Sequence, residues 1–210
     1  MKPLLAVLIL LCSAAAIAPA ATTTTKAAGA TPVAAKAADM DSLALLENAV
    51  AKDSSKVDNL YRLGVMYLDR DRPAEAITVL GKAYEKRPKD LRLLVNLGAA
   101  HDAYGHGDVA QRLYREALAV APGDSVASCR LASSLYASRK HQEAIDLLRS
   151  VIQRAPGSYC AYFTLGVAFA DAGIYRDAIR MWQKVVDLAP GSPEAVSAEE
   201  SITVLQKFVK

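Results

Sequence analysis

The chain has 210 residues, of which 52% are hydrophobic and 22% charged, a balance that suits a soluble globular protein. Its formal net charge of +3 is too small an excess to point to nucleic acid, and the basic residues are scattered along the chain. No Asn-x-Ser/Thr acceptor for N-glycosylation occurs.

Residues 1–20 have the layout of a secretory signal peptide. Lys2 gives a positive start, Leu4 to Leu11 an apolar core, and Ala18-Pro19-Ala20 a small-residue cleavage site, with cleavage after Ala20 preferred because Pro19 follows Ala18. Two other readings stay open: an uncleaved anchor, for which the apolar run is short, and lipidation at Cys12, for which Leu11 is too bulky a neighbour. Residues 21–39, rich in Thr and Ala, lack large apolar groups and are expected to form a flexible tether. If the amino terminus stayed in a membrane, that tether would span about 20–25 Å root-mean-square and hold the rest of the chain close to the bilayer. Over 40–56, Leu43, Leu46, Ala49 and Val50 recur at three-four spacing, predicting one amphipathic helix.

From residue 57 one skeleton returns every 34 residues. Leu63-Gly64, Leu97-Gly98, Leu131-Ala132 and Leu165-Gly166 keep step with Ala76, Ala110, Ala144 and Ala178, and with Pro88, Pro122, Pro156 and Pro190. Within each unit the large residues fall three and four apart and share a helical face. Gly and Ala at fixed places let two helix backbones approach, and the prolines end helical runs. Asp90, Asp124, Ser158 and Ser192 follow two residues after each proline, as candidate N-caps of the next helix. The period gives units 57–90, 91–124, 125–158 and 159–192. The third is the weakest, with Ser128, Ala132, Leu135 and Val151 at key places. Leu46 and Ala49 lie one period before Leu80 and Ala83, so 40–56 is the second helix of a degenerate unit. At the other end, residues 193–210 begin with Pro193 and Glu194, which suit a first helical turn. Ala195, Ala198, Ile202, Leu205 and Val209 line one face there, while Glu199 and Glu200 stand in the Leu-Gly phase, as a solenoid cap requires.

This 34-residue pattern resembles the tetratricopeptide repeat family over about two thirds of the chain. The resemblance implies an all-α fold, a right-handed α-solenoid of about ten helices in antiparallel pairs, and a non-enzymatic protein-binding function. In that family the first helices of successive repeats line the concave face. By matching position, the partner-binding residues would be Tyr61, Val65 and Leu68; Val95 and Ala99; Cys129, Arg130, Ser133 and Tyr136; and Cys160, Phe163 and Val167. Such an apolar groove marks a partner site more often than not; the alternative is that the chain's own tether or a second copy covers part of it. Some members grip a chaperone's C-terminal carboxylate with Lys, Asn and Arg. Here only Asn96 and Arg130 match, with Tyr61, Val65 and Val126 at the other places, so that clamp is incomplete.

Cys129 and Cys160 lie on first helices of adjacent units. Packed helix axes sit roughly 8–10 Å apart, against a Cα limit of about 7 Å for a disulfide. The pair is borderline, and two small buried or groove-lining thiols is the preferred reading. Gly105-His106-Gly107-Asp108-Val109-Ala110 fits the letters of a dinucleotide fingerprint, but a helix precedes it where a strand is required. His101, at an aromatic core place, and His106 and His141, in turns, form no Cys/His cluster with ligand spacing. Tyr114, Phe169 and Trp182 belong to the core stripe, and Lys86, Arg87, Lys89 and Arg92 to a solvated turn.

No catalytic residue, metal or cofactor is expected. The preferred function is an adaptor in the periplasm or another exported space, binding an apolar helix or peptide of an envelope assembly or secretion component. The alternatives are a self-associating scaffold, a homodimer through the C-terminal stripe, and an enzyme or metal carrier using the histidines and cysteines.

Overall fold

A computed structural model describes residues 32–209; the signal-peptide reading of 1–20 and residues 21–31 of the tether lie outside the described residues. Ten helices, and no strand among the described residues, follow one another. They are α1 (Pro32–Lys52), α2 (Val57–Leu68), α3 (Pro73–Lys86), α4 (Leu91–Ala103) and α5 (Gly107–Val120), then α6 (Ser125–Ala137), α7 (His141–Arg154), α8 (Tyr159–Asp171), α9 (Tyr175–Leu188) and α10 (Pro193–Leu205). The start of α1 corrects the expected boundary: 32–39, read as tether, are helical. That stretch is rich in alanine behind a proline at the first helical position, a combination that favours a helix even without large apolar groups.

Each helix packs on its neighbours in sequence. In addition α2 lies close to α4, α4 to α6, α6 to α8 and α8 to α10, whereas the backbones of the second helices α3, α5, α7 and α9 stay further apart and are bridged by long side chains, Tyr84 to Glu116 and Arg115 to Glu143. The first helices therefore crowd along the inside of a curve and the second helices splay along its outside. The result is an all-α solenoid of antiparallel helix pairs.

The repeat skeleton does the packing. Leu80, Tyr114, Leu148 and Trp182, one per unit, are fully buried, each worth about 2–3 kcal/mol as transferred apolar surface. They lie against the glycine or alanine of the paired helix. A Cβ on Gly98 would stand 2.6 Å from the Tyr114 ring, so the helix pair closes only without one. The caps follow at three of four places: Asp90 accepts from the Arg92 amide, Asp124 from Ala127 and Ser192 from Ala195. Ser158 does not cap α8 with its side chain, because its hydroxyl is turned to the Cys160 sulfur, 3.2 Å away.

At the C-terminal end the expected stripe is used inside the chain. Ala195, Ala198, Ile202 and Leu205 are buried in one cluster with Trp182 and Val185 of α9. Phe208 stays 67% exposed, its ring 6.0 Å from that of Tyr175. Among the described residues no helix is long and apolar enough to cross a membrane.

Candidate partner-binding groove

The inner wall is built from α2, α4, α6 and α8, so residues on their shared face point into one concavity. Tyr61, Val65 and Leu68 of α2 are half-buried there, as are Tyr136 of α6 and Phe163 and Val167 of α8, while Ser133 is exposed. Val95, Ala99 and Cys129 depart from expectation. All three are buried, because the flanking first helices close over the middle of α4 and α6. The exposed apolar surface therefore gathers at α2 and at α6–α8, with a polar stretch between them.

On the groove side, four pairs across adjacent first helices fall at two sequence separations, 35 and 31. At 35, the Asn96 amide donates to the Tyr61 hydroxyl at 3.4 Å, and the Tyr136 hydroxyl donates to Asp171 at 3.2 Å. At 31, Ser133 and Thr164 meet at 3.5 Å, and Cys129 and Cys160 are joined. These separations are the period plus one and minus three, a helical turn apart. They are the contact register of neighbouring first helices.

The cysteines are a disulfide, which corrects the preferred thiol reading. Their Cα atoms are 6.2 Å apart, inside the bonding limit, because Cα atoms on the facing sides of α6 and α8 each stand about 2.3 Å off the helix axis and so lie closer together than the axes do. In the chain-entropy model a loop of this length is worth about 3–4 kcal/mol.

Around the tyrosines the electrostatics are local. The Arg92 guanidinium lies 5.0 Å over the Tyr61 ring and also pairs with Asp90; burial raises the Tyr61 hydroxyl's pKa. Burial, with the neighbouring Asp171 carboxylate, pushes Tyr136 up to about 12. Its ring meets His141 edge-on at 4.4 Å. Both phenols stay neutral through the physiological range. Of the basic cluster, Arg87 pairs with Asp58 and Arg92 with Asp90.

Under the polar stretch lies a network joining units two and three. Asp102 accepts from the Ser134 hydroxyl at 2.7 Å and from the buried Tyr114 hydroxyl at 3.0 Å. Gln111 donates to the Ser138 hydroxyl at 2.9 Å and accepts from Lys140 at 3.4 Å. Burial raises the Asp102 pKa, and the Arg130 charge works against that rise. Arg130, expected to face a partner, is half-buried.

The positions that sequence reasoning missed are Thr164 and Asp171, together with the role of Arg92 over Tyr61. A signal existed in the offset of 35, which links Tyr136 to Asp171 just as it links Tyr61 to Asn96. The Gly105 segment is a turn with Gly105 at φ 91°, followed by α5. Among the described residues there is no group of three or more His, Cys, Asp or Glu placed to hold a metal ion.

A family model described as tetratricopeptide repeat matches residues 67–129 and 135–202, and a second with the same description matches 40–90. Among solved structures, TTC0263, a thermophilic TPR protein in Thermus thermophilus, shares 16% identity at a TM-score of 0.68, over 81% of this chain and 94% of that one. YrrB, described as a TPR protein with an unusual peptide-binding site, shares 22% at 0.55, over 80% and 87%. MamA 41-end from Desulfovibrio magneticus RS-1 shares 24% at 0.53, over 73% and 96%. At these identities the likeness is one of fold. No curated protein matches the chain in sequence.

Proposed function

The chain belongs to the tetratricopeptide repeat family, and on that premise we propose that it is a non-catalytic adaptor whose concave groove holds an apolar helix or extended peptide. The observation that carries this reading is the exposed set at α6–α8. Tyr136, Phe163 and Val167 stand half-open on one wall beside the hydroxyls of Ser133 and Thr164. Apolar anchors flanked by hydrogen-bonding groups suit a segment that brings both side chains and backbone polar groups. The groove wall offers hydrogen-bonding groups and packing surface.

We place the adaptor in an exported compartment, with a partner drawn from an envelope assembly or secretion component. Support comes from the signal-like layout of residues 1–20 and from a disulfide, which persists in oxidising spaces. An uncleaved amino terminus would keep the array near a membrane. The self-associating scaffold is the weaker alternative, since the C-terminal stripe it relied on is packed against α9.

The test is a photoreactive group at Tyr136 in residues 21–210, with capture from envelope extract and mass spectrometry. One dominant partner, lost in the Phe163→Glu variant at unchanged helix content, supports the groove. Capture that survives Phe163→Glu refutes its assignment.

A further inference from the structure

We propose that the Cys129–Cys160 disulfide is a redox-operated clasp that holds the α6–α8 half of the groove in its ordered shape. Its consequence for binding rests on the groove reading above; its effect on order does not.

The clasp sits at the unit that departs most from the repeat skeleton. Leu60, Leu94 and Tyr162 occupy equivalent places in units one, two and four, but unit three has Ser128, fully buried with its hydroxyl bonded to the Asp124 carbonyl at 2.8 Å. The aromatic place is Leu135, and the Leu-Gly pair is Leu131-Ala132. The first two changes reduce the apolar side-chain volume available to the helix pair α6–α7, and Ala132 puts a methyl where the other units bring two backbones together over glycine. In a solenoid each unit is held mainly by its own packing and its two neighbours, so a poorly filled unit opens locally before the rest. A covalent tie from α6 to α8 fastens that unit to the better-filled fourth one. Beside the tie, the groove faces of α6 and α8 are joined by the 3.5 Å Ser133–Thr164 pair and by the Tyr136–Asp171 bond near the helix ends.

The two sulfurs differ in access. Cys129 is buried, whereas Cys160 is half-buried on the groove wall. A thiolate from a dithiol reductant would attack the Cys160 sulfur, breaking the disulfide and releasing Cys129 as a thiolate that takes a proton. The reductant's second thiol then attacks its own sulfur in the mixed disulfide and releases Cys160, which takes the second proton. Two electrons and two protons pass to the protein, and the dithiol becomes a cyclic disulfide. Oxidation by a disulfide donor reverses the exchange and closes the clasp.

Amide hydrogen exchange of residues 21–210, with and without dithiothreitol, tests this. Reduction should lower protection across 125–171 on the order of a hundredfold, while α2 and α3 change less than about threefold. The double variant Cys129→Ser/Cys160→Ser should match the reduced protein in both buffers. Equal protection in the two redox states overturns the clasp, and so does a titration that finds both thiols free in protein purified without reductant. Should the double variant fail to fold, in-place reduction of the native chain still decides. These amides report without any partner, so loss of the clasp and failure of the groove to bind are separate results.

Discussion

Every turn inside a unit asks one residue to adopt a left-handed backbone. Asp71, Gly105, Arg139 and Gly173 hold that place, 34 residues apart, with φ of 54°, 91°, 63° and 74°. Glycine adopts this conformation without steric cost, whereas an L side chain there costs about 1–2 kcal/mol. Arg139 is exposed, and its amide donates to the Tyr136 carbonyl to close the turn, a bond that glycine would keep. Arg139→Gly is therefore expected to stabilise the protein by about 0.5–1 kcal/mol after the larger unfolded-state entropy of glycine is subtracted, read as a rise in the urea midpoint. Gly173→Ala should move it the other way. His101 is a second residue under strain of a different kind. It stands where Tyr67 and Phe169 stand in their units, and its Nδ1 is buried with no hydrogen-bond partner. Burial, with a smaller contribution from His106, lowers its pKa below 6.5. The unfolded chain thus takes up a proton that the folded chain resists. Stability contributed at neutral pH is lost as pH falls from about 6.5 towards the folded value, and levels off below it. Urea midpoints from pH 8 to pH 5 should fall more steeply for the native protein than for His101→Phe. Parallel curves would show that the imidazole's burial is not the cause.

Between elements, the decisive distance is that between the two backbones of a helix pair. Gly98 faces Tyr114, which is held at both ends, its ring buried and its hydroxyl on Asp102. Gly98→Ala brings a methyl to 2.6 Å of that ring and is expected to cost about 2–3 kcal/mol, measured by denaturation. The same place in unit three is already Ala132, opposite the slimmer Leu148. This level was largely legible in the sequence. A 34-residue period with prolines in phase leaves one architecture open to it, and helix ends follow from Asp90, Asp124 and Ser192. The Ser158 cap was not legible, since its hydroxyl chose between an amide and the Cys160 sulfur according to how near α8 lies to α6. The disulfide and the buried state of Val95, Ala99 and Cys129 depend on that same inter-helix distance. Periodicity gives which residues face inward but not how tightly the first helices close over them. The start of α1 was missed for another reason, because an alanine-rich segment can be helical without the apolar stripe by which helices are recognised.

At the scale of the whole molecule, the outermost helices of the described solenoid, α1 and α10, present the complementary faces of a helix pair. α1 stands in the second-helix phase, and among the described residues its Leu45 is 70% exposed, although its equivalents Val79, Leu113, Leu147 and Met181 are covered or half-covered. α10 stands in the first-helix phase, and it presents Val196, Glu199, Glu200 and Thr203, all exposed, at the places where Leu60, Leu63, Gly64 and Tyr67 grip α3. The α1 of another copy would complete α10, and since the two surfaces differ, such a contact would continue from copy to copy instead of closing. Glu199 and Glu200 oppose it. One puts a carboxylate where a buried leucine belongs, and the other puts a side chain where glycine is needed for close approach. Residues 21–210 should therefore sediment without head-to-tail growth at any concentration tested. Glu199→Leu with Glu200→Gly should produce growth that rises with concentration, and adding Leu45→Glu should abolish it. A native chain that already forms polymers sensitive to Leu45→Glu would show that the two glutamates do not seal this end.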